Sequence, residues 1–111
     1  MALLAATLLV VVGPPERASA YIPRAHILID GNSGFTAANG VTGGAGTPSD
    51  PYLIEGWQID TSTAAGIEIR NTSVHFIVRG VYVHDVPRWQ NDGIVFYNVA
   101  NGTVENSTVS R

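Results

Sequence analysis

The sequence predicts an all-β chain in which short strands stack in parallel as successive turns of a coil, about three rungs deep. Three observations predict this. Similar segments recur in phase at intervals of 24 to 27 residues, β-branched residues alternate with polar ones inside each segment, and Gly or Asn closes each segment.

The first twenty residues read differently from the rest. Leu3 to Val12 is almost purely apolar, and Ala18-Ser19-Ala20 follows. An apolar run of about ten residues ending in a small-x-small site is the pattern of a cleaved secretory signal, and a membrane span needs roughly 20 residues. Residues 1–20 are therefore expected to be a signal peptide cut before Tyr21, with no membrane span left after its removal. No Lys or Arg precedes the apolar run, so the positive end of such a signal rests on the α-amino group.

Residues 21–52 are expected to form an N-terminal lead-in strand and a Gly-rich cap segment, with Asp50 bonding nearby backbone amides in an Asx-type turn. Pro51 biases Asp50 toward extended backbone and launches the strand that follows. Residues 53–111 carry the rungs. Three segments align there. They are Ile54-Glu55-Gly56-Trp57-Gln58-Ile59, Val78-Arg79-Gly80-Val81-Tyr82-Val83 and Val104-Glu105-Asn106-Ser107-Thr108-Val109. A second repeat interleaves with the first, Gly66-Ile67-Glu68-Ile69-Arg70-Asn71 matching Gly93-Ile94-Val95-Phe96-Tyr97-Asn98, and Ile27 to Asn32 resembles it more loosely.

These repeats predict two short strands per period, stacked at the spacing of about 4.8 Å between paired strands. Ile54, Val78 and Val104 form one inward column, and Ile59, Val83 and Val109 another. Ile67 and Ile94, and Ile69 and Phe96, also face inward. Glu55, Arg79 and Glu105 stack outside with alternating sign, which attracts. Gly56, Gly80 and Asn106 stand at corners, and Asn71 and Asn98 form an amide ladder at another corner. A β-sandwich would need antiparallel hairpins instead of segments recurring in phase, and little Leu follows Tyr21 for a leucine-rich repeat.

Composition bounds the partners. The chain has 111 residues, nine acids against six basic residues, and a net charge of −3. That balance argues against nucleic acid, which favours basic patches. With no cysteine there is neither a disulfide framework nor a thiolate metal site. So short a chain buries little surface by itself, and stacking onto further rungs is the expected remedy. No cap follows the third rung, so the coil is expected to be an N-terminal fragment of a longer one.

At Gly66-Ile67-x-Ile69-x-Asn71 and Val104-x-Asn106-Ser107-Thr108-Val109 the sequence resembles the right-handed parallel β-helix repeat proteins of the pectin-lyase-like class, in particular NosD-like exported and surface proteins. The resemblance covers about Ile27 to Val109. Gly44-x-Gly46-Thr47-x-x-Asp50-Pro51-Tyr52 resembles the element that often precedes the first rungs in such proteins. It implies a right-handed coil and a secreted, periplasmic or cell-surface location. Family members include polysaccharide lyases and hydrolases, carbohydrate-binding surface proteins and a copper-maturation protein, and such a fold does not fix the function.

Candidate chemistry centres on the loop His84 to Asp92, which breaks the rung pattern. Asp85, Arg88, Trp89 and Asp92 are its candidate ligand-binding residues, with Trp89 stacking on a sugar ring. The alternative is a solvated loop whose Trp89 folds back over the coil. Asp85 and Asp92 would act as a glycosidase pair only at the separation that chemistry requires, about 5–10 Å. His26, His75 and His84 match no compact metal motif and Met is scarce, so no metal and no cofactor are expected. Asn71, Asn101 and Asn106 begin Asn-x-Ser/Thr sequons, and Asn101 is the expected acceptor. The reading is an exported or cell-surface repeat protein with a structural or carbohydrate-interaction role, its partner a polysaccharide or cell-surface glycan and no catalytic constellation visible. Alternatives are the first rungs of a polysaccharide lyase or hydrolase, and a NosD-like periplasmic copper-delivery protein.

Overall fold

The structure, a computed structural model, describes residues 21–61, 65–87 and 92–111. The proposed signal peptide, 1–20, lies outside them. Among the described residues the strands are β1 (Ile22–Arg24), β2 (Ile27–Asp30), β3 (Tyr52–Glu55), β4 (Trp57–Asp60), β5 (Ile67–Thr72), β6 (Phe76–Arg79), β7 (Tyr82–His84), β8 (Ile94–Val99), β9 (Gly102–Glu105) and β10 (Thr108–Val109). Two 3-10 turns, Asn32–Gly34 and Ala37–Asn39, are the helical elements.

The strands form three sheets, all paired in parallel. Sheet one is β3-β6-β9, sheet two β1-β4-β7-β10 and sheet three β2-β5-β8. From β3 onward the chain visits sheets one, two and three in turn and then returns to sheet one. This all-β arrangement of stacked parallel sheets is compatible with a parallel β-helix.

The registers follow the sequence columns. Ile54 pairs with Val78 and Val78 with Val104; Ile59 pairs with Val83 and Val83 with Val109. Ile67 pairs with Ile94 and Ile69 with Phe96, and the looser match at Ile27 and Ile29 pairs with Ile67 and Ile69. A slip of one residue would turn every inward side chain out, so the apolar pattern holds this register. Outside, Arg79 lies 3.0 Å from Glu55 and 3.8 Å from Glu105.

Each period holds three strands where two were expected. Ile54 and Ile59 are five residues apart, so strict alternation would place them on opposite faces of one strand. Gly56 bends the chain between β3 and β4 at φ 83°, and both then point inward. Gly80 (59°) and Asn106 (49°) turn the next two rungs at the same place. Left-handed backbone is open to Gly and, among other residues, most readily to Asn.

The core is Ile27, Ile29, Ile54, Ile59, Ile67, Ile69, Val78, Val81, Val83 and Val86, with the rings of Phe35 and Phe76. Phe76 meets Phe35 at 5.2 Å and Phe96 edge-on at 5.0 Å, and Phe35 stacks on Tyr52 at 5.0 Å, giving an aromatic file along the coil. Before β3, the Gly-rich segment folds over the edge of sheet one. Thr42 N–H donates to Leu53 O, and Leu53 N–H donates to Gly43 O. Gly44 must be glycine there: a Cβ would stand 1.9 Å from Pro51 O, at φ 93°. The expected Asx-type turn at Asp50 is not made. Its main-chain carbonyl accepts from the N–H groups of Ala45, Gly46 and Thr47, while the Thr47 hydroxyl accepts from Asp50 N–H. The carbonyl reaches three converging amides that the short side chain does not.

Candidate functional site: a neutral groove beside the asparagine corner

The loop singled out in the sequence is described in part. Asp85 follows β7 at φ 61°, and its carboxylate lies 3.0 Å from His84 Nδ1. The other ring nitrogen of His84 is 3.4 Å from Gln58 Nε2. Val86, next along, is buried, and its N–H donates to Ser110 O, which ties the start of the loop to the residue just after β10. Asp92 is exposed, immediately before Gly93 and β8. Arg88 and Trp89 lie outside the described residues. Among the described residues no three His, Asp or Glu side chains gather in a way that would hold a metal ion, and no helix is long and apolar enough to cross a membrane.

A second place, where sheet three turns toward sheet one, gathers uncommitted polar groups. Gly31, Asn71 and Asn98 turn there at φ 87°, 58° and 56°. The two asparagines form the expected ladder, and it has a direction. Asn71 Nδ2 donates to the Asp30 carboxylate at 2.9 Å, and Asn98 Nδ2 donates to Asn71 Oδ1 at 2.9 Å. A carboxylate only accepts, so Asn71 must present its NH2 to Asp30 and its oxygen to Asn98. The ladder thus closes at Asp30 and ends at Asn98, whose oxygen accepts no hydrogen bond among the described residues.

Beside this ladder runs a groove of about 880 Å³ whose walls include Asn32, Ser33, Thr72, Ser73, Asn98 and Phe96. Among the described residues no ionisable side chain lines it. Its base is fixed: Asn32 Oδ1 accepts from the Thr72 hydroxyl and from Ser73 N–H, and Thr72 is buried. Asn32 Nδ2, the Ser33 and Ser73 hydroxyls and Asn98 Oδ1 make no hydrogen bond among the described residues. They offer donors and acceptors side by side, next to the half-buried ring of Phe96. Such a lining suits an uncharged polyhydroxylated ligand, whose hydroxyls both donate and accept and whose C–H faces pack on aromatic carbon.

The sequence patterning placed Asn71 and Asn98 at this corner and Phe96 facing inward, but pointed to no groove here and not to Asn32, Ser33, Thr72 or Ser73. A signal existed. Extending the second repeat two residues past its corner aligns Asn32-Ser33 with Thr72-Ser73, both short hydroxyl- or amide-bearing pairs. The sequons fare unevenly. Asn71 is held in the ladder, and Asn101, the expected glycan acceptor, donates its Nδ2 to Ser73 O at 2.8 Å. The Asn106 side chain is exposed and makes no hydrogen bond among the described residues. In comparisons with protein-family models, curated proteins and solved structures, none matches the chain.

Proposed function

We propose that the chain is an exported or cell-surface repeat protein, built as a right-handed parallel β-helix of the pectin-lyase-like, NosD-like type, with a structural and carbohydrate-interacting role. The observation that carries this reading is the neutral groove, with four uncommitted amide and hydroxyl groups beside an aromatic ring. The stacked parallel registers support the coil, and a right-handed turn is the favoured one for parallel connections. The apolar run Leu3 to Val12 before Ala18-Ser19-Ala20 supports export. The Glu55–Arg79–Glu105 column is satisfied internally, which supports a structural role for that face.

A glycan array probed with the full chain tests the proposal, followed by titration of the best neutral oligosaccharide against Asn32→Ala and Ser73→Ala. Each variant should weaken binding about tenfold, the worth of roughly 1.4 kcal/mol, with the fold retained by circular dichroism. No binding to any glycan, or binding unchanged in both variants, would overturn it. Binding lost on Trp89→Ala instead would move the site to the loop at Asp85, Arg88, Trp89 and Asp92.

A further inference from the structure

The chain turns from sheet one to sheet two at Gly56, Gly80 and Asn106, all with left-handed backbone. Two of the three carry no side chain, and they show where a side chain at this corner would go. A Cβ added at Gly56 or at Gly80 would meet nothing within 4 Å. Gly80 already has a rung on either side: its N–H donates to Glu105 O, and its carbonyl accepts from Gly56 N–H. The corner therefore points away from the stack even where rungs lie above and below it. Asn106, at φ 49°, has nearly the backbone of Gly80, at 59°, so its Cβ leaves in the same outward direction. Its exposure belongs to the corner and does not depend on what lies above β9 and β10.

We infer that Asn106, in the sequon Asn106-Ser107-Thr108, is an attachment site for an N-linked glycan, and that Asn71 and Asn101 are not. The donor class is an oligosaccharide carried on a polyprenyl pyrophosphate. Asn106 Nδ2 bonds to C1 of the first sugar, the C1–O bond breaks, the lipid pyrophosphate leaves with that electron pair, and the amide gives up one proton. Attachment replaces one hydrogen of the side-chain nitrogen, so a nitrogen already engaged is a poor place for it. Asn71 Nδ2 donates to the Asp30 carboxylate at 2.9 Å, while Asn71 Oδ1 accepts from Asn98. Asn101 Nδ2 donates to Ser73 O at 2.8 Å. At both, the nitrogen is turned toward the rung below, and a sugar there would crowd the stack. The Asn106 side chain is exposed and makes no hydrogen bond among the described residues. Gly80 and Gly56, further down its column, leave bare backbone beside the first sugars. The groove lies at a different turn, from sheet three to sheet one, so its ligand and this glycan are separate. Sequons are used in exported chains, so the assignment rests on the export proposed above.

The test expresses the full chain in a eukaryotic secretory cell, once with its own N-terminus and once behind an established export leader, and maps glycans on the exported protein by mass spectrometry. Asn106 should carry a glycan in most exported molecules, and Asn71 and Asn101 in few. Thr108→Ala keeps Asn106 but removes the hydroxyl that the sequon requires, and should lose the glycan mass altogether. Ser73→Ala and Thr103→Ala break the other two sequons and should lose none of it. Occupancy chiefly at Asn71 or Asn101, or no glycan on chain exported by the added leader, would overturn the assignment. A glycan at Asn106 behind the added leader but none with the chain's own N-terminus would uphold the assignment and overturn export instead.

Discussion

Val78 and Val104 are the same residue in the same column, one strand apart, yet one is sealed and the other is 45% exposed. The pair Val83 and Val109 repeats the contrast in sheet two. Nothing in the local pattern distinguishes the members of either pair. What differs is that, among the described residues, Val78 has paired strands on both sides and Val104 on one. Burial in this molecule is therefore supplied along the stacking axis, by the neighbouring rung, and a residue's own alternation decides only which way it points. In stacked repeats the energy resides largely between neighbours.

That contrast can be broken first at the aromatic file. Phe76→Ala removes a fully buried ring held between Phe35 and Phe96, and should cost about 3–5 kcal/mol in urea unfolding. Phe96→Ala, at the exposed end, should cost about half as much. A similar loss at both sites would mean that the end rung is as tightly packed as the middle. Val78→Ala should likewise cost about 1.5–3 kcal/mol and Val104→Ala under about 1.

The asparagine corner sharpens the comparison in polar terms. Asn71 makes two ladder bonds and Asn98 one. Asn71→Ala should cost about 1–2 kcal/mol, from the lost bonds and from alanine at φ 58°, and Asn98→Ala less. Asn71→Gly, which keeps the backbone freedom, separates the two contributions.

The smallest effect belongs to the outer charge column. Arg79→Gln should lower stability by less than any of these changes, and about 0.5 M salt should erase the difference. The hydrogen bond that Arg79 donates to the Glu55 carboxylate, and then that carboxylate's charge, raise the guanidinium above its ordinary value. A cation raised in this way contributes stability that is fully present below its unfolded value and lost only as pH rises through the folded one. The column's arginine should thus contribute no pH dependence between about pH 6 and 10, which a denaturation series across that range would check.

The columns were legible in the sequence because a register is a periodic quantity. Ile54, Val78 and Val104 recur with a charge after each, and such a pattern has one consistent stacking. The corners at Gly56, Gly80 and Asn106 were legible, but that each separates two strands was not, because the runs on either side are only two to four residues long. The amide ladder was legible at Asn71 and Asn98, but its termination on Asp30 was not. That depends on Gly31, not Asn, taking the left-handed corner in the first rung. The groove was the least legible feature. Asn32 and Ser33 reach it through a 3-10 turn at the end of the loosest copy of the repeat, where the alignment with Thr72 and Ser73 is a weak signal that only the fold turns into a contact.

The central claim is that the three rungs stack in parallel with one register. Nuclear Overhauser contacts in uniformly labelled protein test it most directly. Parallel stacking requires backbone contacts from Val78 to both Ile54 and Val104, and from Val83 to both Ile59 and Val109, at the spacing of paired strands, about 4.8 Å. Contacts shifted by one residue, or antiparallel pairing among these strands, would contradict it.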